Sequence, residues 1–418
     1  MVCANASFSH SHQVMRDTRI HWTEGGLACS ALWRSERGSP PPKNVVLADD
    51  TTSADAAYRL ACAGTAMLWR GDFHNARQLL QALARRVEKA AERKKSPPAV
   101  PDGALPKASP PGEAFHLHRM AQSQRARILS SVLLPFDADY SIPLRRAPDA
   151  RLACTEAWGE AALVDGAFVA TLRDLMGITS AHEWRKKGVE IPALGEAPAN
   201  RIFPHYGVFS PVRGEYLELV ARAPLPQPPA LGASLTAFDI GTGTGVLSAV
   251  LARRGVAHVV ATDQDPRALA CASANLAQLG VADRVVVMAA DLFPPGRASI
   301  AVCNPPWLPA KAVAPIERAV YDEGSRMLLG FLAGLSAHLA PNGEGWLILS
   351  DLAEHLGLRT RQFLLDAFDA AGLRVLDRMD TLPVHPRASD ASDTLHTARA
   401  KEVTSLWRLG VKPVPLAN

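Results

Sequence analysis

The chain reads as an α/β protein built on a doubly wound, seven-stranded and mostly parallel sheet, with a mainly helical domain ahead of it. Two observations lead there. In the second half, short apolar runs alternate with helical patterns, the arrangement that yields parallel strands joined by crossover helices. The first of those runs, Leu235 to Ile240, passes into the glycine-rich turn Gly241-Thr242-Gly243-Thr244-Gly245, and the fourth ends in Asn304-Pro305-Pro306-Trp307. In such sheets ligands bind at the carboxyl ends of the strands near the point where strand order reverses.

Taken in order, residues 1–48 lack sustained periodicity and contain clusters such as Gly38-Ser39-Pro40-Pro41-Pro42, which predicts a poorly ordered tail. Residues 49–195 read as a mainly helical domain for substrate recognition. Its helices are expected over 53–70, 72–95, 113–134, 151–158 and 161–176, with a proline-rich linker at 96–112. Ser180 to Glu183 has capping-box spacing, so Arg185, Lys186 and Lys187 would finish a short helix. Arg85, Arg86, Lys89, Arg93, Lys94 and Lys95 form a basic cluster. It suits either a solvated helix end or a phosphate-contacting patch.

Residues 196–410 carry the sheet, and 411–418 a tail. Val189 to Ile191 and Arg201 to Phe203 read as short strands. Val246 to Arg254 continue the glycine turn as a helix, and His258 to Thr262 form a second strand ending at Asp263. Asp265 is placed to cap a helix beginning with Pro266 and reaching Leu279. Arg284 to Ala289 form a third strand, which stops short of Asp291, and Ser299 to Cys303 a fourth. A helix over 325–339, a strand over 345–350, a helix over 360–371, and strands over 374–382 and 402–409 complete seven strands. Between the last two, residues 386–400 form a surface loop or a segment beside the substrate cleft.

In Asn304-Pro305-Pro306-Trp307 two prolines fix consecutive φ angles and remove two N–H donors. A stiff turn results, expected to leave the Asn304 side-chain oxygen and the Pro305 carbonyl as outward acceptors beside the flat face of Trp307. That arrangement suits a planar amino group. A GxGxG turn alone is weak, and a dinucleotide site would place Gly or Ala at position 246, which is Val here. That disfavours a nicotinamide-dependent oxidoreductase. Asp263 is placed to accept the hydroxyls of an adenosine ribose. Asp291 is either a partner for an adenine amino group or a solvated strand end, and Asp239 a structural, cofactor-orienting carboxylate.

Together these motifs resemble the class I S-adenosylmethionine-dependent methyltransferases, in the amino-methylating branch marked by Asn/Asp/Ser-Pro-Pro-aromatic. Tyr206 to Glu215 and Pro309 look like the glutamine methyltransferases of release factors and ribosomal proteins, and ribosomal-RNA amino-methyltransferases share the plan. The glutamine enzymes usually carry Tyr where this chain has Trp307. The resemblance implies S-adenosyl-L-methionine as cofactor, held by Phe209, Arg213, Asp239, Gly241, Thr242, Gly243, Gly245, Asp263, Asp291 and Asn304. It implies catalysis at Asn304, Pro305, Pro306 and Trp307. The acceptor would be a macromolecule, a protein glutamine side chain first and an RNA base second. A cofactor-binding module without catalysis is the alternative from another class. Oligomeric state is left open.

Composition fits an intracellular enzyme of two parts. The chain has 418 residues, 48% of them hydrophobic, which suffices for sizeable cores. Six cysteines (Cys3, Cys29, Cys62, Cys154, Cys271, Cys303) show no CxxC pairing, and buried free thiols are expected. No run approaches a membrane span and residues 1–20 lack a signal-peptide core, so a cytoplasmic location without membrane contact is expected. A net charge of +4 permits nucleic-acid contact without demanding it. The thirteen histidines, His205, His385 and His396 among them, show no metal-ligand spacing. Met15 is an alternative start, which would place the first residues outside the natural protein.

Overall fold

A computed structural model describes residues 18–95, 112–161, 166–211, 214–228, 230, 232–312, 315–384 and 393–413. The chain divides into two compact units, one of Met1–Ser96 and Gln124–Met176, the other of Pro97–Ser123 and Gly177–Asn418. The division falls inside two helices, Glu113–Leu129 and Leu172–Lys187.

The first unit corrects the expectation of a poorly ordered tail over 1–48, whose residues 1–17 lie outside the described ones, because 19–48 carry three strands; residues 49–195 are rich in helix as expected but also supply strands to the same sheet. The unit holds strands β1 (Arg19–Glu24), β2 (Leu27–Trp33), β3 (Asn44–Ala48), β4 (Thr65–Trp69), β5 (Val132–Phe136) and β6 (Phe168–Thr171). They form one sheet in the order β1-β2-β6-β5-β4-β3. Glu24 pairs with Leu27 across Gly25 and Gly26, whose φ values of 57° and 81° suit a two-residue hairpin turn. Ile20 is fully buried and packs with Ala31, Ala66, Leu68, Leu133 and Val169. That burial orders a stretch whose local composition looks loose.

The helices expected over 53–70, 113–134 and 161–176 form only in part, and for one reason. A helix, Ala54–Cys62, does form behind its Ser53 cap, but Gly64 (φ 82°) ends that stretch and the apolar run after it becomes β4. Likewise, 113–134 is helical as far as Leu129 and its last residues enter β5, whereas in 161–176, of which 162–165 lie outside the described residues, Phe168–Thr171 become β6 and a helix begins only at Leu172. Runs of four or five apolar residues cannot be assigned by periodicity, and burial on both faces makes them strands. The helix Leu172–Lys187 also runs straight through Ser180 to Glu183, so no cap forms there. Phe73–Lys95 and Arg151–Trp158 are helical, much as expected.

The second unit opens with a small antiparallel pair, β7 (Val189–Glu190) and β8 (Arg201–Ile202). Its main sheet contains β9 (Thr236–Ile240), β10 (His258–Asp263), β11 (Val285–Ala289), β12 (Ala298–Cys303), β13 (Leu339–Ser350), β14 (Leu373–Thr381) and β15 (Thr404–Val411). The order is β11-β10-β9-β12-β13-β15-β14, parallel from β11 to β13, with β15 antiparallel to both neighbours. Strand order therefore reverses between β9 and β12.

Alternation along the strands feeds two cores. Ala237, Ile300, Val302, Trp346 and Ile348 face one layer with helices Glu215–Arg222, Val246–Arg253 and Pro266–Gln278. Phe238, Ala301, Cys303, Leu347 and Leu349 face the other, with Arg326–His338 and Arg361–Ala370. Asp265 accepts from the Arg267 N–H and Thr360 from the Phe363 N–H, so both helix starts read from sequence are capped by side chains. The doubly wound fold class holds for this unit. Among the described cysteines, Cys154, Cys271 and Cys303 are buried free thiols, and burial pushes the Cys303 thiol well up.

Candidate active site

Register brings the two turns together. Cys303 of β12 pairs with Ile240 of β9, so Gly241 and Asn304 follow paired residues on adjacent parallel strands. The glycine turn is tied to β10 by the Gly241 and Thr242 N–H groups, which donate to the Thr262 carbonyl at 2.9 and 2.8 Å. Gly245 sits at φ 79°, and a Cβ there would lie 3.2 Å from the Ala272 Cα. A glycine is required at that position to let two helices approach. At Gly243 a Cβ would meet nothing within 4 Å, which leaves open space beside the turn.

Asp239, at the end of β9, is fully buried. Its Oδ2 accepts from the Ser248 N–H (3.0 Å), the Ser248 hydroxyl (2.7 Å) and the Thr242 hydroxyl (2.7 Å). Burial raises its carboxyl above the usual range, against the pull of these three donors. Oδ1 is buried with no partner, and so is Glu215 Oε2. Two unpaired acidic oxygens in one region fit a ligand that brings N–H donors and positive charge.

Asp263 ends β10. Its Oδ2 accepts from the Gly243 N–H (3.1 Å) and its Oδ1 from the Asp265 N–H (2.9 Å), while burial pushes its carboxyl up. The carboxylate is thereby held in one orientation, with lone pairs to spare on each oxygen. Asp291 is exposed, accepts from Gln264, and pairs with Arg326 at 2.7 Å. Both of its oxygens are engaged by protein. Phe209 is 38% exposed. Arg213 and His385 lie outside the described residues.

The Asn304 side chain differs from the expectation of a free outward acceptor. Its Oδ1 accepts from the Trp307 indole N–H at 2.9 Å, closing a ring across the two prolines. Because Pro305 and Pro306 supply no N–H, the side chains brace the turn instead. Asn304 also hydrogen-bonds the buried Tyr216 hydroxyl, whose ionisation burial drives upward. Trp307 is half-buried and packs against both cores, at the carboxyl end of the sheet between the layers. Tyr216 went unnoticed in the sequence although it directly follows Glu215. Ser248 was missed as well, for nothing local distinguishes it from an ordinary helix serine.

Comparison with known proteins agrees with this geometry. Residues 202–370 match the family model described as Methyltransferase small domain. A release factor glutamine methyltransferase from Cereibacter sphaeroides is 33% identical over 39% of this chain and 59% of its own length. A ribosomal protein L11 methyltransferase from Pelotomaculum thermopropionicum is 35% identical over 34% of this chain and 39% of its own. The chain thus spans about half the length of these curated relatives. A crystal structure of a ribosomal protein L11 methylase from Lactobacillus delbrueckii subsp. bulgaricus aligns with 49% of this chain and 82% of that one, at 18% identity and a TM-score of 0.32. A score that low carries no argument, and the fold assignment rests on the strand order itself. By family model, residues 202–370 are similar to a methyltransferase small domain, and the strand order and glycine turn agree with that likeness.

Proposed function

We propose that the second unit is an S-adenosyl-L-methionine-dependent N-methyltransferase that modifies a planar amino group, the side chain of a glutamine in a cytoplasmic protein. The observation that carries this reading is the Ile240–Cys303 pairing, which sets the glycine turn and Asn304-Pro305-Pro306-Trp307 side by side. The relatives named for release factor glutamine and ribosomal protein L11 methylation support a protein acceptor. The first unit is assigned to recognition of that protein.

Bound at the glycine turn, S-adenosyl-L-methionine supplies a methyl group activated by a sulfonium. Asp239 and Glu215, each with an unpaired buried oxygen, would receive its ammonium group, and Asp263 its ribose hydroxyls. The work of the chain's own residues lies on the acceptor side. An amide nitrogen is a poor nucleophile because its lone pair is delocalised. The second lone pair of Asn304 Oδ1 and the Pro305 carbonyl would accept its two N–H bonds, favour a pyramidal nitrogen, and stabilise the charge that develops there. Trp307 stacks on the planar group, its ring fixed by the bond to Asn304. Holding nucleophile and methyl in line supplies much of the remaining acceleration. The methylated nitrogen is acidic enough to shed its proton without a dedicated base.

One observation favours an RNA base amine instead. Trp307 offers a larger stacking surface than the Tyr usual in glutamine enzymes, and stacking on aromatics is a common way to hold an unpaired base. Tritiated methyl from the cofactor, incubated with the enzyme in an extract of a deletion strain, separates the two. Label in protein, released as N-methylglutamine on proteolysis, is expected. Label confined to RNA would overturn the glutamine assignment, and no label would favour a cofactor-binding module.

A further inference from the structure

Beyond the cofactor and acceptor residues, we infer that Arg119 and Arg359 clamp the backbone of residues 307–311 from two sides and so set the position of the Trp307 indole. This deepens the methyltransferase reading and rests on it for its catalytic consequence. The segment needs outside support: Pro305, Pro306 and Pro309 remove three backbone donors within five residues. Its described backbone bonds centre on Leu308, which donates to the Val320 carbonyl (3.2 Å) and whose own carbonyl accepts from Ala310 (2.8 Å) and Asp322 (2.9 Å).

The carbonyls at the two ends of the segment are taken by guanidinium groups. Arg359 Nη2 donates to the Trp307 carbonyl at 3.4 Å, and Arg119 Nη2 to the Lys311 carbonyl at 2.8 Å. Between them Leu308 packs with Phe115, Leu352 and Leu356. Arg359 is 7% exposed, and burial pushes its guanidinium down, with Glu354 and Asp322 opposing. Arg119 lies over the Tyr321 ring at 4.1 Å, with Glu317 3.8 Å away. Arg119 Nη1 and Arg359 Nε are buried without partners.

Keeping two guanidinium groups in such places, each with a donor unmatched, is unfavourable unless their geometry is used. The use visible here is a fixed backbone immediately after the catalytic turn. Arg119 lies outside residues 202–370, so this half of the clamp comes from sequence beyond the family match. Its element, the early part of Glu113–Leu129, belongs with the second unit.

The test uses the full chain with 5-fluorotryptophan, which labels all eight tryptophans. Trp307→Phe identifies the Trp307 resonance in the fluorine NMR spectrum. Arg119→Ala and Arg359→Ala are each expected to shift or broaden that resonance and leave the others in place. Each should lower kcat about tenfold by misplacing the acceptor, with cofactor affinity unchanged. The double variant should be no slower than about the slower single one, because both act on one segment. Arg119→Lys and Arg359→Lys, which keep a cationic donor, should recover part of the loss, and they serve if an alanine variant fails to fold. An unmoved Trp307 resonance in folded variants would overturn the clamp, as would kcat losses that multiply in the double variant. If the parent transfers no methyl group, the methyltransferase reading fails, and the fluorine spectrum still judges the clamp.

Discussion

Replacing Asp239 separates holding the fold from holding the cofactor, because its two oxygens have different surroundings. Oδ2 accepts three hydrogen bonds from Ser248 and Thr242, whereas Oδ1 is buried and unmatched. Asp239→Asn can turn its amide oxygen toward the three donors and its NH2 toward the vacant side. An amide oxygen accepts two bonds well, so one donor weakens, at about 1 kcal/mol, and removal of a buried charge offsets this. Stability should therefore stay within about 1 kcal/mol of the parent. Cofactor binding should not, since an acceptor facing an ammonium group becomes a donor. Losing one charge-assisted bond costs about 1.5–3 kcal/mol, or roughly 10- to 150-fold in Kd. Asp239→Ala strands the buried Ser248 N–H as well and should cost at least about 2 kcal/mol of stability. Denaturant unfolding and calorimetric titration with S-adenosylhomocysteine measure both quantities. An Asp239→Asn protein that binds as tightly as the parent would refute the assignment of Oδ1 to the cofactor.

Gly245→Ala should destabilise the second unit by about 2 kcal/mol in urea unfolding. A side chain at φ 79° costs about 1–2 kcal/mol, and its Cβ would press on Ala272. Arg146 and Arg145 donate to the buried Asp72 and hold its carboxyl at about 2, with burial opposing. A lowered carboxyl stabilises fully above its unfolded value near 4, and that contribution disappears as pH falls toward 2. Stability of the parent should accordingly drop between pH 4 and 2, with a shallower slope in Asp72→Asn. For Asp263 the sign is opposite: burial raises its carboxyl, so acidification protonates it sooner than an ordinary aspartate. Affinity for S-adenosylhomocysteine should therefore weaken on acidification at a higher pH than an ordinary aspartate would cause, and Asp263→Asn should flatten that dependence.

The second unit was legible because its signals are local and ordered. Turn glycines, the Asp265-Pro266 cap and the proline pair each fix a boundary by backbone chemistry, so most strand and helix positions followed within a residue or two, although β13 begins six residues before the expected Gly345 and the helix Glu215–Arg222 was not expected. Tertiary pairing decided the rest. In the first unit, the runs around Met67, Leu133 and Val169 have no local property that separates strand from helix, and the hairpin at Gly25 and Gly26 gains its order from Ile20 packing across the sheet. At the site, residue types singled out the two turns that the fold brings side by side, but not their hydrogen-bond partners. That Trp307 occupies Asn304 Oδ1, that Tyr216 contacts Asn304, and that Arg326 occupies Asp291 depend on side-chain directions set by packing. Arg359 lay beyond reach altogether, since 52 residues separate it from the carbonyl it holds.

The most direct measurement is the single-turnover rate of methyl transfer by Asn304→Ala at saturating cofactor, beside its affinity for S-adenosylhomocysteine. Removing an acceptor that stabilises developing charge should slow transfer by about 10²- to 10³-fold. Affinity should change only a few-fold, because the glycine turn, Asp239 and Asp263 remain. Transfer at the parent's rate by the folded variant would contradict a catalytic role for the turn.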